Sequence, residues 1–148
     1  YSAVILSGSP YSVRSEDALK INLDPIKGKI PLLGICYGAQ YLAHNYGGLV
    51  DLSNSREYGR ANLVSISAES ILFDSVSNGS QVWMSHADTI VKLPTNSIII
   101  GSTSDVENAA FCFKNEETYG IQFHPEVYHS SDGKLILQNF LKKISKIE

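Results

Sequence analysis

Cys36 stands where an apolar run meets a helix-like segment, with Gly34 two residues before it and Gly38 two residues after it. This spacing is typical of a nucleophile elbow, a sharp strand-to-helix turn that lifts a nucleophilic side chain out of a sheet. Glycines on both sides let the backbone turn without clashes. The following helix N-terminus favours a thiolate, so we expect a lowered thiol pKa. Because an elbow strains the backbone, we also expect a positive φ at Cys36.

A second group of reactive residues comes far downstream, where an apolar run ends in His124, Pro125 and Glu126. Proline favours an extended conformation in the residue before it, and side chains two apart in an extended chain share a face. Glu126 can therefore orient the His124 imidazole, which can exchange protons with a thiol. Together with Cys36 these residues supply the nucleophile, base and orienting carboxylate of a triad.

The elements that must position these residues alternate between strands and helices. Apolar runs predict strands at 3–6, 30–35, 63–67, 81–84, 90–93, 98–102, 109–113 and 118–123. Helical patterns lie at 38–46 and 134–144, with a further helical turn or two at 17–23. The alternation predicts an α/β fold.

Composition limits the classes of function. The chain has 148 residues, 43% hydrophobic and 18% charged, which fits one compact domain. A net charge of −3 gives no reason to expect nucleic acid binding, and no apolar run approaches the roughly 20 residues that cross a membrane. We expect no secretory leader. Cys112 lies in an apolar run and is interpreted as a small core residue, so we expect no disulfide with Cys36.

The two reactive motifs resemble those of the class I glutamine amidotransferases, and the resemblance extends over nearly the whole chain. Three features resemble the GMP synthetase branch of that family. They are Cys-Tyr-Gly at 36–38, the segment 83–88, and Val127 after His-Pro-Glu. The resemblance implies one domain over 1–148 with a flavodoxin-like fold. The expected fold has a mostly parallel central sheet flanked by helices, and an additional small antiparallel strand region. The family's usual strand and helix upstream of Ala3 are expected to be absent from this chain.

The resemblance implies attack of a Cys36 thiolate on the side-chain amide of glutamine, which releases ammonia and leaves a thioester that water hydrolyses to glutamate. His124 would take the thiol proton and deliver it to ammonia, while Glu126 holds the imidazole tautomer. The backbone N–H groups of Tyr37 and Ser9 would form the oxyanion hole. Ser9 stands where the family usually has glycine, and serine bears a cost there if the position needs a positive φ.

The resemblance also supplies candidates for substrate binding, which are Gly8, Gln40, Ser85, His86 and Asp88. Gln40 lies about one helical turn after Cys36 and so on the same helix face. The segment 85–88 is expected to form a polar turn that holds the α-amino and α-carboxylate groups of glutamine, with Asp88 as the ammonium partner. Residues 56–60 form either a solvated charged turn or a substrate or interdomain contact.

The GMP synthetase branch further implies a partner, an ATP-dependent synthetase domain or subunit that adenylates XMP and receives the ammonia. ATP and magnesium are expected in that partner, and neither a cofactor nor a metal is expected in this domain. The rim around Cys36, with residues 56–60 and His129, is the expected docking face, and docking is expected to raise the glutaminase activity. We expect a cytoplasmic enzyme without nucleic acid or membrane partners.

Other interpretations remain open at this point. Glutaminase subunits of anthranilate-type or carbamoyl-phosphate-type amidotransferases are alternatives within the same class. The PfpI-like hydrolases and chaperones also carry an elbow cysteine, but they place their acidic partner elsewhere and lack a terminal His-Pro-Glu strand. A catalytically idle regulatory protein would have little reason to keep Cys36, His124 and Glu126 together.

Overall fold

The computed structural model covers residues 1–148 and describes the side chains of all of them except residues 55 and 56. The elements in chain order are β1 (Val4–Leu6), β2 (Leu32–Ile35), α1 (Tyr37–Asn45), β3 (Leu49–Ile66), β4 (Gln81–Lys92), β5 (Ser97–Thr103), β6 (Ala110–Phe113), β7 (Thr118–Ile121), α2 (Gly133–Gln138) and α3 (Asn139–Ile144), the last a π-helical segment. The predicted C-terminal helix therefore forms as two consecutive segments.

The strands form one sheet in the order β1-β2-β7-β6-β5-β3-β4. The strands β1, β2 and β7 run parallel, whereas every other neighbouring pair is antiparallel. The expected α/β class is confirmed, but the sheet is mixed and not mostly parallel, because four of its six neighbouring pairs are antiparallel. Its strands β5, β6 and β7 follow one another through short connections, and short connections join antiparallel neighbours because parallel ones need a long crossover.

The two faces of the sheet are covered by different helices. On one face Leu32 packs in a cluster with Leu42 of α1, and on the other Leu33 packs with Ile136 of α2 and Phe140 of α3. Leu32 and Leu33 point to opposite faces because successive strand residues alternate, so β2 is buried on both sides. Over the part of the chain with described side chains, none of the helices is long and apolar enough to cross a bilayer.

Two local predictions are wrong. Residues 17–23 begin in a turn and otherwise have no regular secondary structure, so the predicted helical turns do not form. The runs at 81–84 and 90–93 are parts of one continuous strand, β4, so the segment 85–88 between them is not a turn. The reason is pairing with β3, whose ladder to β4 continues on both sides of an irregularity between Leu52 and Glu57. Residues 56–60 likewise lie in β3 and do not form a charged turn, and the side chain of residue 56 lies outside the described residues.

Candidate active site

Cys36 lies at the turn between β2 and α1 with φ 53° and ψ −104°, so the predicted positive φ is confirmed. Its backbone N–H donates to the carbonyl of Ile121 in β7, 2.8 Å away. The flanking glycines are needed for close approach. A Cβ on Gly34 would lie 2.6 Å from the Gly38 carbonyl carbon, and one on Gly38 would lie 2.3 Å from the Leu6 carbonyl oxygen. The elbow therefore forms only where these positions carry no side chain.

His124 follows the end of β7 and is held through its backbone and its ring. Its N–H donates to the Trp83 carbonyl of β4 at 2.9 Å, and its carbonyl accepts from the Ser130 hydroxyl at 2.6 Å. The imidazole Nδ1 lies 2.6 Å from a carboxylate oxygen of Glu126, which confirms the predicted contact. A carboxylate accepts hydrogen bonds, so the proton of the neutral ring lies on Nδ1 and Nε2 is left as a base.

The cysteine and the histidine line one cleft of about 790 Å³. A Cβ on Gly8 would lie 3.0 Å from Cε1 of His124 and 3.8 Å from Cβ of Cys36, so both side chains approach the same point. The other predicted site residues that line this cleft are Ser9, Gln40, Ser85, His86, Asp88 and Glu126. The topology accounts for this convergence because Cys36 and His124 follow the carboxyl ends of the neighbouring parallel strands β2 and β7.

The Cys36 thiol does not have the lowered pKa that the elbow led us to expect. Burial raises its pKa to about 11, and the charge of Glu126 acts in the same direction. The backbone N–H of Tyr37 hydrogen-bonds the sulfur and opposes this shift, as the helix N-terminus argument requires, but desolvation outweighs it. The thiol is also 3.6 Å from the Ser85 carbonyl oxygen, an acceptor that favours the protonated form. In the absence of substrate the raised pKa therefore favours the protonated thiol form of Cys36 at neutral pH.

The two candidates for the oxyanion hole, Tyr37 and Ser9, lie in different surroundings. Tyr37 packs its ring in the core and directs its N–H to the sulfur. Ser9 lines the cleft and does not have a positive φ, so the conformational cost considered for serine at this position does not arise. Its hydroxyl accepts a hydrogen bond from the Tyr11 N–H at 3.2 Å, which shapes the loop beside the cleft.

The candidates on β4 alternate between the two faces of the strand. His86 and Asp88 point inward and are 4% and 7% exposed, whereas Ser85 is exposed. The His86 Nδ1 lies 2.6 Å from the Asp88 carbonyl oxygen, and Nε2 lies 3.0 Å from the carboxylate of Glu57. Burial lowers the pKa of His86 and raises that of Glu57, so the pair favours its uncharged forms. Glu57 belongs to the segment 56–60, for which a substrate or interdomain contact was one of two interpretations, but the sequence did not predict its contact with His86.

Gln40 is buried, and its amide nitrogen donates to the Asp88 carbonyl at 3.0 Å and to the Gln122 side-chain oxygen at 3.3 Å. These bonds tie α1 to β4 and to the residue that follows β7, at the wall of the cleft. The Asp88 carboxylate itself accepts from the Ser12 hydroxyl and lies 3.6 Å from the Arg14 guanidinium. Ser12 and Arg14 were not predicted, because their only sequence signal is a polar segment shortly after Ser-Gly-Ser-Pro.

Beside the cleft, the His129 ring stacks on Trp83 at a centroid distance of 4.4 Å and contacts the Tyr128 ring at 3.9 Å. Among the residues whose side chains are described, no group of three or more His, Cys, Asp or Glu could hold a metal ion.

The chain is similar to known proteins over almost its full length. A family model described as "Glutamine amidotransferase class-I" matches residues 1–144. Two proteins named GMP synthase (glutamine-hydrolyzing), from Flavobacterium psychrophilum and Christiangramia forsetii, are 62% and 58% identical over 99% and 98% of this chain. The chain spans 29% and 28% of those relatives, less than a third of their length.

Solved structures are similar as well. A protein described as a GMP synthase subunit, from Thermoplasma acidophilum, matches with a TM-score of 0.71 and 32% identity, covering 79% of this chain and 61% of that one. A glutamine amidotransferase from Thermotoga maritima matches with a TM-score of 0.60 and 28% identity, covering 80% of this chain and 51% of that one.

Proposed function

This chain belongs to the class-I glutamine amidotransferase family, and we propose that it is the glutamine-hydrolysing part of a GMP synthase, with Cys36, His124 and Glu126 as its catalytic residues. The observation that carries the catalytic proposal is a single cleft lined by an elbow cysteine and by an imidazole held by a carboxylate. The relatives named GMP synthase support the proposed acceptor over anthranilate-type and carbamoyl-phosphate-type alternatives. Membership in the family favours this activity over a PfpI-like one.

The first half of the reaction forms a thioester. The sulfur of Cys36 attacks the amide carbon of glutamine while its proton moves to Nε2 of His124. The negative charge on the amide oxygen is stabilised by the N–H groups of Tyr37 and Ser9. When the carbon–nitrogen bond breaks, His124 returns the proton to the departing nitrogen, and ammonia leaves.

The second half regenerates the thiol. Water attacks the thioester carbon, His124 takes a proton from that water, and the sulfur leaves with this proton as glutamate is released. Because burial raises the pKa of the Cys36 thiol to about 11, little thiolate exists at neutral pH before substrate binds. The base is therefore needed for attack itself, and Glu126 contributes by keeping Nε2 free to accept the proton.

The partner in this proposal is an ATP-dependent synthetase domain or subunit that uses ATP and magnesium to adenylate XMP and then receives the ammonia. The relatives extend well beyond the matched region, which leaves room for such a domain. We propose that it docks on the surface next to the cleft, where Tyr128 shares a neighbouring pocket with Glu126 and is 89% exposed beside His129. Docking would exclude water and keep ammonia from escaping.

The test is release of glutamate and ammonia from glutamine by the purified protein, by Cys36→Ala and by Cys112→Ala. Cys112 lies in β6 as the other free cysteine, so its variant is a matched control for loss of a thiol. We expect the control to retain activity and Cys36→Ala to lose it while keeping its fold. Hydrolysis that survives in Cys36→Ala would refute the catalytic assignment. Activity that does not change when the synthetase partner, ATP and XMP are added would refute the coupling.

A further inference from the structure

The loop between β1 and β2 brings a cation to the wall of the cleft. Arg14 Nη1 lies 3.6 Å from a carboxylate oxygen of Asp88, and Nη2 lies 3.2 Å from one of Asp51. Val13 is buried in the core and anchors the loop. The Ser12 hydroxyl accepts a hydrogen bond from the backbone N–H of Arg14 at 3.1 Å and donates one to the Asp88 carboxylate. The two carboxylates therefore hold the guanidinium beside the cleft, although the Arg14 side chain is still 37% exposed.

Arg14 has a special place in the charge distribution of the site. Among the cleft-lining residues with described side chains it is the one Lys or Arg. The two histidines there do not substitute for it, since burial lowers the pKa of His86 and Nδ1 of His124 faces Glu126. Glutamine brings both an ammonium and a carboxylate on its α-carbon. Asp88 offers a negative charge for the ammonium, and Arg14 offers the permanent positive charge for the carboxylate.

We infer that Arg14 binds the α-carboxylate of glutamine, beside the Asp88 carboxylate that the family resemblance already pairs with the α-ammonium, so that the two charges together select a free amino acid. The inference rests on the proposed function. A guanidinium has five N–H donors, more than its contacts with Asp51 and Asp88 use. The 3.6 Å contact is also longer than a hydrogen bond, which leaves that Asp88 oxygen open to an ammonium.

The charge balance favours this mode of binding. Without substrate, one guanidinium faces the two carboxylates of Asp51 and Asp88. The substrate ammonium neutralises the negative charge of Asp88. The Arg14 guanidinium is then free to bind the substrate carboxylate, because the two planar groups match in geometry. A glutamine inside a peptide has amides in place of both charged groups, so it would leave Arg14 and Asp88 without their partners and be rejected.

The experiment compares Arg14→Gln and Arg14→Lys with Lys114→Gln. Lys114 is exposed in the β6–β7 turn, at the opposite end of β7 from His124, so it controls for loss of a surface charge. Each protein is assayed for ammonia release from three amides. These are glutamine, 4-aminobutanamide, which lacks the α-carboxylate, and glutaramate, which lacks the α-ammonium. The two analogues are also measured as competitive inhibitors of glutamine hydrolysis, so an inhibition constant is obtained if one is not turned over.

We expect Arg14→Gln to raise KM for glutamine roughly 10- to 100-fold with kcat nearly unchanged, because a hydrogen-bonded ion pair is lost. Glutaramate should lose affinity by a similar factor, and 4-aminobutanamide should not. Arg14→Lys should recover part of the loss, and Lys114→Gln should keep the KM of the unmodified protein.

An unchanged KM for glutamine in Arg14→Gln, or an equal loss for all three amides, would overturn the inference. The first result would assign the carboxylate to backbone N–H groups, and the second would assign Arg14 a structural role. Failure of the unmodified protein to hydrolyse glutamine would instead refute the proposed function.

Discussion

Gly38→Ala tests the geometry of the elbow. The substitution has two opposing effects on stability, a gain in helix propensity and a steric clash with β1. Alanine is favoured over glycine in a helix interior by about 1 kcal/mol, and Gly38 lies in α1. The new Cβ, however, would lie 2.3 Å from the Leu6 carbonyl oxygen and 2.7 Å from the Leu6 Cβ. Relieving such overpacking costs about 1–3 kcal/mol, so the clash outweighs the helix preference. We expect a net loss of up to about 2 kcal/mol of unfolding free energy.

The same change should reduce activity, because Leu6 ends β1 and leads directly into the loop of Gly8 and Ser9. Moving this loop displaces the proposed Ser9 N–H donor, and loss of one oxyanion donor costs about 10²- to 10³-fold in kcat. Urea unfolding followed by Trp83 fluorescence and glutamate release measure the two effects.

Gly101→Ala is the matched control for this prediction. Its Cβ would meet neighbours no closer than 3.3 Å, and Gly101 lies in β5, outside the residues that line the cleft. We expect this control to keep its activity and to lose less stability. If Gly38→Ala is as stable and as active as the unmodified protein, the close packing of α1 on β1 is not what shapes the elbow.

Three further predictions concern the triad and the core. Alkylation of Cys36 by iodoacetamide without glutamine should be slow at neutral pH and should accelerate with rising pH up to about 11, because the thiol is protonated below its raised pKa. A fast, pH-independent rate around neutrality would indicate a thiolate paired with protonated His124. Glu126→Gln should lower kcat roughly 10²-fold with KM little changed, since the imidazole loses its orienting carboxylate, and an unchanged kcat would remove Glu126 from the mechanism. Asn139→Ala should lower the unfolding free energy by about 1–3 kcal/mol, because its buried amide donates to two backbone carbonyls, and urea unfolding without a loss would contradict this.

The elbow and the His-Pro-Glu segment could be predicted because their signals are local. The glycines around Cys36 reflect contacts within a few residues and with one strand, and the contact of His124 with Glu126 spans two residues. The class of fold followed from the alternation of apolar and helical patterns. These features depend on the geometry of a few neighbouring residues, which a short sequence pattern is enough to specify.

The errors arise where pairing between distant strands decides the structure. Residues 85–88 have the polarity of a turn, but in β4 they pair with β3, and His86 is buried by its contacts with Glu57 and the Asp88 carbonyl. No local pattern specifies that ladder. The thiol pKa is a second case, because the helix N-terminus argument gave the correct sign for the Tyr37 N–H but the sequence did not reveal the larger desolvation of Cys36.

Covalent labelling with a glutamine analogue that carries a chloromethyl ketone in place of the amide would identify the nucleophile directly. The Cys36 sulfur should attack the chloromethyl carbon and displace chloride, and peptide mass spectrometry should locate the adduct on Cys36. Labelling should be prevented by excess glutamine and should parallel the loss of glutaminase activity. An adduct on Cys112, or full inactivation with Cys36 unmodified, would contradict the assignment of Cys36 as the nucleophile of a glutamine amidotransferase.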